Sequence, residues 1–324
     1  MTKILVTGGA GYIGSILVKQ LLEKNYKVRV LDILNFGGDS LVELFNNPDF
    51  EFQKGDVRKD EDIAKALEGV DAVVNLAAIV GDPACAKEPE IAKETNLEGT
   101  KKLYQKANEK EVKRFVFAST CSNYGKMEDS DSYVTEESKL APVSLYAETK
   151  VAAEKYLLGQ DKSNTCKPTC LRFSTVYGLS PRMRFDLTVN EFTKELALGR
   201  ELVVFGEQFW RPYCHVVDLA RSVITVLEAE EDKVAFDVFN VGDTNENYQK
   251  QMIVEEIRKQ LPDANIKYVK KDEDPRDYRV SFKKIKSKLG YEITKTVPDG
   301  IAQVIQIVKD GILLNPDDSK YKNI

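Results

Sequence analysis

Short apolar runs alternate with amphipathic stretches through the first half of the chain, and this alternation constrains the fold more than any other feature. The apolar runs have the length and composition of strands, whereas the stretches between them repeat apolar residues at helical spacing. Regular alternation of this kind predicts an α/β fold, in which helices cover both faces of a parallel sheet. The predicted strands are Lys3–Thr7, Lys27–Asp32, Phe50–Lys54, Asp71–Asn75, Lys113–Ala118 and Pro168–Phe173. The predicted helices are Tyr12–Lys24, Asp60–Leu67, Glu90–Asn108 and Leu145–Leu158.

The alternation becomes irregular after Gly178, which predicts a smaller mixed lobe. The basic run Lys283–Lys288 is typical of one charged helix face, and the polar run Asp272–Asp277 is typical of an ordered loop. Because no low-complexity linker separates the two parts, we expect them to pack against each other. The predicted elements of this lobe are helix Asp186–Leu198, strand Glu201–Phe205, helix Val217–Glu228, strand Asp237–Val241, and helices Gln249–Gln260 and Pro298–Val308.

Composition indicates an ordinary soluble protein rather than one that binds polyanions. The 324 residues are 42% hydrophobic and 31% charged, with a net charge of −5. An acidic balance argues against nucleic acid or an anionic membrane as the partner. The strand pattern begins at Lys3, and no apolar run approaches the length of a membrane span, so we expect a cytoplasmic protein.

Cysteine and histidine usage excludes further classes of site. The five cysteines are odd in number and form no CxxC pair, which predicts reduced thiols. His215 is the single histidine and no GxSxG elbow is present, so neither a zinc site nor a Ser-His-Asp hydrolase is expected. The cysteines are Cys85, Cys121, Cys166, Cys170 and Cys214.

A glycine-rich turn, TGGAGYIG, joins the first predicted strand to the first predicted helix. Glycines in this position permit a tight turn and let the backbone approach a diphosphate, while the helix N-terminus supplies free N–H groups. The strand–turn–helix context makes the motif far more informative than an isolated GxGxxG. We therefore predict a dinucleotide-binding domain over residues 1–178, to which residues 212–240 return, and a substrate-binding lobe over residues 179–324.

Two acidic residues follow the next predicted strands. Asp32 ends the second strand, where its carboxylate would accept hydrogen bonds from the adenosine ribose and repel a 2′-phosphate. Asp32 therefore favours NAD over NADP. Asp56 and Val57 end the third strand, where they would meet the adenine ring, although an ordinary turn aspartate is nearly as good an interpretation of Asp56.

The string Tyr146-Ala147-Glu148-Thr149-Lys150 falls in a predicted helix. A spacing of four places the phenol and the ammonium on one helical face. A phenol beside a fixed cation is a candidate acid/base, although such a pair also occurs by chance on solvated helix faces.

Taken together, the ordered motifs of the chain resemble the extended short-chain dehydrogenase/reductase family, and within it the NAD-dependent nucleotide-sugar epimerases and dehydratases. The resemblance covers nearly the whole chain and implies a Rossmann-type doubly wound sheet with a smaller α/β lobe. The motifs that carry it are TGGAGYIG, Asp32, Gly55-Asp56-Val57, Asn75-Leu76-Ala77-Ala78, Asn96 with Gly99-Thr100, Ser119-Thr120 ahead of Tyr124-Gly125, YAETK, LRFSTVYG and WRPYCHV.

The resemblance implies roles for three residues. Tyr146 would be the base that removes a sugar hydroxyl proton, Lys150 would favour its phenolate, and Thr120 would hydrogen-bond the reacting hydroxyl. Ser119 is the weaker candidate for that last role. The implied cofactor-binding residues are Gly8, Gly11, Tyr12, Ile13, Gly14, Asp32, Asp56, Val57, Leu76, Ala77, Ala78, Asn96, Tyr146, Lys150 and Phe173. The implied substrate-binding residues are Thr120, Cys121, Ser122, Thr175, Arg184, Asn190, Val203, Phe205, Arg211 and Arg276.

The chain departs from the family pattern in two places, and the first of them affects the expected reaction. The 4,6-dehydratases carry Asp and Glu directly after the Thr, whereas this chain has Cys121 and Ser122, which disfavours dehydration. Cys121 itself is more typical of a small buried residue than of a reactive thiol. Asn75 replaces the usual His, a change expected to affect packing or a cofactor-side hydrogen bond.

The resemblance therefore implies oxidation at C4 of a nucleotide-linked sugar by NAD, with a homodimer as the assembly. The segments AAIVGDPACAKEPE, Thr120-Cys121-Ser122 and GLSPRMRFDL are similar to those of capsule-polysaccharide enzymes, which favours a 4-dehydrogenase like the bacterial GDP-manno-heptose 4-dehydrogenases. The alternative is a C4 epimerase with a transient 4-keto sugar. An NADPH-dependent 4-keto-sugar reductase is disfavoured by Asp32, and a non-catalytic dinucleotide-sensing regulator is disfavoured by the intact Tyr146 and Lys150. The two arginines of the loop Leu179–Asp186 indicate a polar or anionic group nearby.

Overall fold

A computed structural model describes residues 2–127, 132–270 and 276–323. Strands and helices alternate along the first half of the chain, as the sequence predicts. The strands are β1 (Lys3–Thr7), β2 (Lys27–Asp32), β3 (Phe50–Lys54), β4 (Ala72–Asn75), β5 (Arg114–Thr120), β6 (Lys167–Phe173), β7 (Thr175–Tyr177), β8 (Leu202–Phe205), β9 (Trp210–His215), β10 (Asp237–Val241), β11 (Asn247–Gln249) and β12 (Ile266–Val269). The α-helices are α1 (Tyr12–Glu23), α2 (Asp60–Ala66), α3 (Asp82–Lys87), α4 (Pro89–Lys93), α5 (Gly99–Glu109), α6 (Leu145–Leu158), α7 (Thr188–Ala197), α8 (Val216–Glu228), α9 (Glu231–Val234), α10 (Lys250–Gln260), α11 (Lys283–Leu289) and α12 (Val297–Lys309).

In the described part of the chain, seven parallel strands form the central sheet, in the order β10-β6-β5-β4-β1-β2-β3. This arrangement confirms the predicted Rossmann-type doubly wound fold. The strand order reverses at β1, which pairs with β2 on one side and with β4 on the other. A reversal of this kind opens a crevice at the carboxyl ends of the strands, where such sheets bind ligands.

Two apolar cores lie on opposite faces of the central sheet. Along β1, Ile4 and Val6 pack into one core and Leu5 packs into the other, and all three are fully buried. A parallel strand covered on both faces needs apolar residues at successive positions, which explains the unbroken apolar run of β1. Helix α8, from the second half of the chain, packs against α1 on one of these faces.

The second half of the chain adds two small sheets beyond the central one. Strand β9 pairs with β11 antiparallel and with β7 parallel, and β8 pairs with β12 parallel. These strands enclose a third apolar core together with α7, α10 and α12. Strand β9 was not predicted, because Pro212 in its middle argues against a central strand in a sequence pattern.

The helix predicted over Glu90–Asn108 is present, but its middle turn is widened, because α4 and α5 are joined without a break by a π-helical turn at Glu94–Glu98. The widened turn carries Asn96, whose amide is buried and hydrogen-bonded to the backbone of Ile79. Gly99 comes directly after this turn and packs closely against the backbone of Val57. A Cβ added to Gly99 would lie 3.1 Å from the Val57 carbonyl oxygen. A tertiary contact therefore sets this irregularity, and helical periodicity does not reveal it.

Two predictions for the basic and acidic runs have different outcomes. Helix α11 confirms the charged face, with Ile285 buried and most of its lysines exposed. Most of the predicted loop Asp272–Asp277 lies outside the described residues.

No helix in the ranges described above is long and apolar enough to cross a membrane. All five cysteines are buried and carry free thiols.

Candidate active site

A cleft of about 650 Å³ lies at the carboxyl ends of the central strands, between the sheet and the elements that follow β6. The glycine-rich turn, the ends of β2 to β6, and the start of α6 form its walls. Most of the predicted cofactor residues line it, namely Gly8, Gly11, Tyr12, Ile13, Gly14, Asp32, Asp56, Val57, Leu76, Ala77, Ala78, Tyr146, Lys150 and Phe173.

The glycine-rich turn has the geometry that close packing requires. Gly8 has a φ of +73°, and a Cβ there would lie 2.8 Å from the Ala77 nitrogen. A Cβ on Gly14 would lie 2.2 Å from the Gly8 carbonyl oxygen, so only glycine lets α1 approach the strand end. Helix α1 begins after Gly11 without a side-chain cap, which leaves its first N–H groups directed toward the cleft. The turn therefore fits the diphosphate of a dinucleotide.

The Asp32 carboxylate is held at the rim of the cleft by the backbone. It accepts hydrogen bonds from the Ala10 N–H at 3.0 Å and from the Leu34 N–H at 2.8 Å. Burial raises the pKa of Asp32, while these two N–H groups counteract that effect. Carboxylate oxygens accept more than one hydrogen bond each, so the group can still accept bonds from a ribose diol.

Asp56, at the end of β3, also lines the cleft but is paired with a residue that the sequence did not single out. The Arg58 guanidinium lies 2.6 Å from the Asp56 carboxylate, and this contact holds the pKa of Asp56 below its usual range against the opposing effect of burial. Both side chains line the cleft.

Asn96 and Asn75 support the cleft wall from behind. The Asn96 amide accepts from the Ile79 N–H at 2.8 Å and donates to the Ile79 carbonyl at 3.0 Å, which fixes the segment after β4. Asn75 accepts from the Thr7 hydroxyl and donates to the Thr100 hydroxyl. Asn96, a predicted cofactor residue, is 1% exposed and lies outside the cleft lining, so it would act by positioning this wall.

Tyr146, Lys150 and Thr120 meet at the floor of the cleft. Tyr146 lies in the first turn of α6, which Ser144 caps with its hydroxyl, and Lys150 follows one turn later. The Lys150 ammonium donates to the Ala118 carbonyl at 2.8 Å and lies 5.9 Å from the centre of the Tyr146 ring. Thr120, at the end of β5, lines the cleft together with them. The helix and the strand thus bring together the three residues that the motifs single out.

Burial determines the electrostatics of this group. It raises the pKa of Tyr146, with further contributions from Cys85 and Asp82, whereas Arg184 and the Thr120 hydroxyl lower it. Burial lowers the pKa of Lys150 to about 8. An anionic neighbour favours the charged form of a buried lysine, and a cation favours a phenolate, so each of the two groups stabilises the ionised form of the other.

A buried ion pair supports the site from behind β5. Glu154, two turns after Tyr146 on α6, pairs with Arg172 of β6, and both are almost fully buried. The Ser119 hydroxyl donates to Glu154 at 2.9 Å, and Arg172 donates to the Tyr124 hydroxyl at 2.8 Å. Because the Ser119 hydroxyl is used in this network, Thr120 is the better placed of the two for a substrate.

The predicted substrate residues divide into two groups. Arg184 forms a bidentate ion pair with Asp186, and Arg276 lies 3.1 Å from Asp82 across the cleft. Asp82 begins α3 and was not singled out from the sequence. The predicted substrate residues that line the cleft are Thr120, Ser122, Thr175, Arg184 and Arg276.

The other predicted substrate residues lie outside the cleft lining. Cys121 is 1% exposed and its thiol donates to the Arg172 carbonyl, so it faces the core. Asn190 is fully buried, and its amide bonds Gly178, Tyr12 and Arg184 rather than facing the cleft.

Three more predicted substrate residues, on β8 and β9, also lie outside the cleft lining. Val203 and Phe205 alternate with buried residues along β8 and are exposed to solvent on its outer face. Arg211 is not part of the cleft lining, but its guanidinium carbon lies 5.3 Å from the ring centre of Tyr278, which lines the cleft.

His215 has a structural role. Its Nδ1 accepts a hydrogen bond from the Val217 N–H and so caps α8, and its Nε2 contacts Gln303. Among residues 2–127, 132–270 and 276–323, no cluster of His, Cys, Asp or Glu could hold a metal ion.

A doubly wound sheet, a glycine-rich turn at its switch point and a Tyr–Lys–Thr group at the strand ends together define a dinucleotide-dependent oxidoreductase site. The chain belongs to the NAD dependent epimerase/dehydratase family, whose sequence profile matches residues 4–242.

Relatives of two reaction types match nearly the whole chain. A UDP-glucose 4-epimerase of Halalkalibacterium halodurans is 31% identical over 89% of this chain and 90% of its own. The structure of the Thermotoga maritima UDP-glucose 4-epimerase with UDP-glucose has a TM-score of 0.84 and 26% identity, covering 96% of this chain and 100% of that one. The dTDP-glucose 4,6-dehydratase of Streptomyces venezuelae, solved with NAD, has a TM-score of 0.84 and 28% identity, covering 95% and 97%.

Proposed function

We propose that the protein binds NAD in the cleft and reversibly oxidises the C4 hydroxyl of a nucleotide-linked sugar, acting as a C4 epimerase. The observation that carries this proposal is the meeting of Tyr146, Lys150 and Thr120 at the strand ends, beside a turn that fits a diphosphate. Membership of the family and the similarity to 4-epimerases support the choice of reaction. The 4-dehydrogenase that the sequence favours is supported less well by these relatives.

In this proposal Tyr146 takes the proton from the sugar hydroxyl. Lys150 favours the phenolate through its charge, and the Thr120 hydroxyl orients the reacting oxygen. When bound, NAD accepts a hydride from C4 and returns it. Rotation of the 4-keto sugar before the hydride returns would invert C4.

The cleft lining supports epimerisation over dehydration. A dehydratase needs a carboxylic acid next to Thr120, but Cys121 is buried with a protonated thiol, since burial raises its pKa. Ser122 lines the cleft and is not an acid. These two positions offer no group able to protonate a leaving hydroxyl at C6.

A second candidate is a 4-dehydrogenase that acts on a GDP-linked manno-heptose. It is favoured by three segments similar to those of capsule-polysaccharide enzymes, which contribute to the cleft lining Ala77–Ala84, Thr120 with Ser122, and Arg182, Arg184, Asp186 and Leu187. This candidate differs from the first only in releasing the 4-keto sugar. Its cofactor would leave reduced after each turnover.

A panel of nucleotide sugars tests the proposal. The purified protein would be incubated with UDP-, GDP-, CDP- and dTDP-sugars, and the products analysed by mass spectrometry and chromatography. An epimerase yields a new isomer of unchanged mass, and a dehydrogenase yields a product lacking two hydrogens. Loss of water would identify a dehydratase and contradict the argument from Cys121 and Ser122.

Denaturing the protein and identifying the released nucleotide tests the cofactor independently. We expect NAD(H), because the Asp32 carboxylate would repel a 2′-phosphate. NADP(H) alone, or no affinity for either, would contradict the proposal.

A further inference from the structure

Arg182 forms a contact between the two parts of the cleft that the proposed chemistry does not use. It lies in the segment between β7 and α7, lines the cleft and is only 7% exposed. The central carbon of its guanidinium lies 4.1 Å from the centre of the Phe36 ring. Phe36 belongs to the loop after β2, so the stacked pair bridges the cleft from the second half of the chain to the sheet.

The hydrogen bonding of Arg182 is incomplete. One terminal nitrogen donates to the Lys322 carbonyl at 3.0 Å, but Nε is buried without a partner. Among the described residues no carboxylate forms an ion pair with Arg182, whereas Arg184 is paired with Asp186. Burial lowers the pKa of Arg182 to about 10; the charge of Arg184 adds to this effect and the charge of Asp186 opposes it. A buried cation that forms no ion pair is costly unless a ligand supplies a partner.

The position of Phe36 indicates which end of the cleft Arg182 serves. Leu34 has a φ of +64° and its N–H bonds the Asp32 carboxylate, so Asp32 and Phe36 belong to one turn, and both line the cleft. Asp32 marks the adenosine end of the proposed cofactor site. Arg184, in contrast, acts electrostatically on Tyr146 at the reaction end.

We propose that Arg182, held on the Phe36 ring, binds the cofactor diphosphate from the side opposite the glycine-rich turn and so retains the dinucleotide between turnovers. Stacking on a ring fixes the plane of a guanidinium, and its fork of N–H donors matches phosphate oxygens. The inference rests on the proposed function. Retention suits an epimerase, because its cofactor is regenerated within each turnover.

The rate of cofactor release tests this inference without relying on activity. Arg182→Gln removes the charge, Arg182→Lys keeps the charge but not the fork, and Phe36→Leu removes the stacking partner. Arg258→Gln is the matched control, because Arg258 is exposed on α10. The protein would be loaded with NADH and mixed with excess NAD, and NADH fluorescence would report the dissociation rate.

We expect roughly ten- to hundred-fold faster release from Arg182→Gln, the loss for a charge-assisted contact. Arg182→Lys and Phe36→Leu should release faster than wild type but more slowly than Arg182→Gln, and Arg258→Gln should match wild type. With saturating NAD, the KM for the nucleotide sugar should not change. Phe36 is 48% exposed, so Phe36→Leu tests the contact even if Arg182→Gln does not fold.

Unchanged release from Arg182→Gln and Phe36→Leu would overturn the inference. If the KM for the nucleotide sugar also rose in these variants, Arg182 would bind the diphosphate of the sugar substrate instead. A wild-type protein that binds no NAD(H) would contradict the proposed function itself and is thereby distinguishable from both results.

Discussion

At the scale of single residues, the four-residue spacing of Tyr146 and Lys150 is enough to predict their proximity. An α-helix places such residues on one face, and the structure has both in α6 beside Thr120. Arg182 and Phe36 could not be paired in the same way, because their contact joins segments far apart in sequence. The position of Asn190 outside the cleft lining could not be predicted for a similar reason: its amide bonds backbone groups that only the folded chain brings near.

Tyr146→Phe tests the proposed base. The variant should bind NAD as wild type does but lose about 10²-fold or more in hydride transfer, since no group remains to take the hydroxyl proton. Stopped-flow absorbance of the reduced nicotinamide measures that step. Tyr156→Phe, on the same helix and outside the cleft lining, is the control and should keep wild-type rates. Near-wild-type turnover of Tyr146→Phe would remove Tyr146 from this role.

Lys150→Met tests whether the buried charge of Lys150 lowers the free energy of unfolding. The pKa of Lys150 is 10.5 in the unfolded chain and about 8 when folded, so the unfolded chain binds more protons between these values. Stability therefore rises with pH across this window, and the cost is fully present below about pH 8. Lys150→Met should stabilise the cofactor-free protein at neutral pH by about 1–3 kcal/mol while abolishing activity.

Urea unfolding of the cofactor-free protein at neutral pH and near pH 10 measures this difference. The gain from Lys150→Met should shrink at the higher pH, where the wild-type lysine is neutral. Lys155→Met, at an exposed position on the same helix, should show no such trend. A gain that is absent, or independent of pH, would contradict the assigned burial cost.

At the scale of elements, the bounds of the first three strands and of α6 follow the apolar pattern directly. The π-helical turn between α4 and α5 does not follow this pattern, because it depends on hydrogen bonds between Asn96 and the backbone of Ile79, in the segment after β4. Likewise, the sequence pattern does not predict β9, because Pro212 lies in the middle of the strand. Pairing with β11 on one edge and with β7 on the other holds β9 in place.

Glu154→Gln tests the ion pair that joins α6 to β6 beneath the site. The variant leaves the Arg172 charge buried without its partner, so the free energy of unfolding should fall by about 3–5 kcal/mol. Urea denaturation gives the change. Glu230→Gln, which breaks the exposed pair with Lys233, is the control and should leave stability almost unchanged, because solvent screens an exposed pair. A loss for Glu154→Gln no larger than for the control would show that the network contributes little.

At the scale of the whole molecule, strand–helix alternation predicts a parallel sheet, but periodicity alone does not give the strand order or the place where it reverses. The resemblance implied a Rossmann-type doubly wound sheet, and the observed order β10-β6-β5-β4-β1-β2-β3 confirms that class of fold. The division at residue 178 and the homodimer stay predictions. Size-exclusion chromatography with light scattering would test the dimer.

In the proposed reaction a hydride leaves C4 and returns to C4 without exchanging with water. This can be followed with a nucleotide sugar identified by the panel and labelled with deuterium at C4, when the product is analysed by NMR. We predict that the inverted product keeps deuterium at C4 and that Tyr146→Phe forms almost none of it. Loss of the label to water as the inverted product forms would contradict the account.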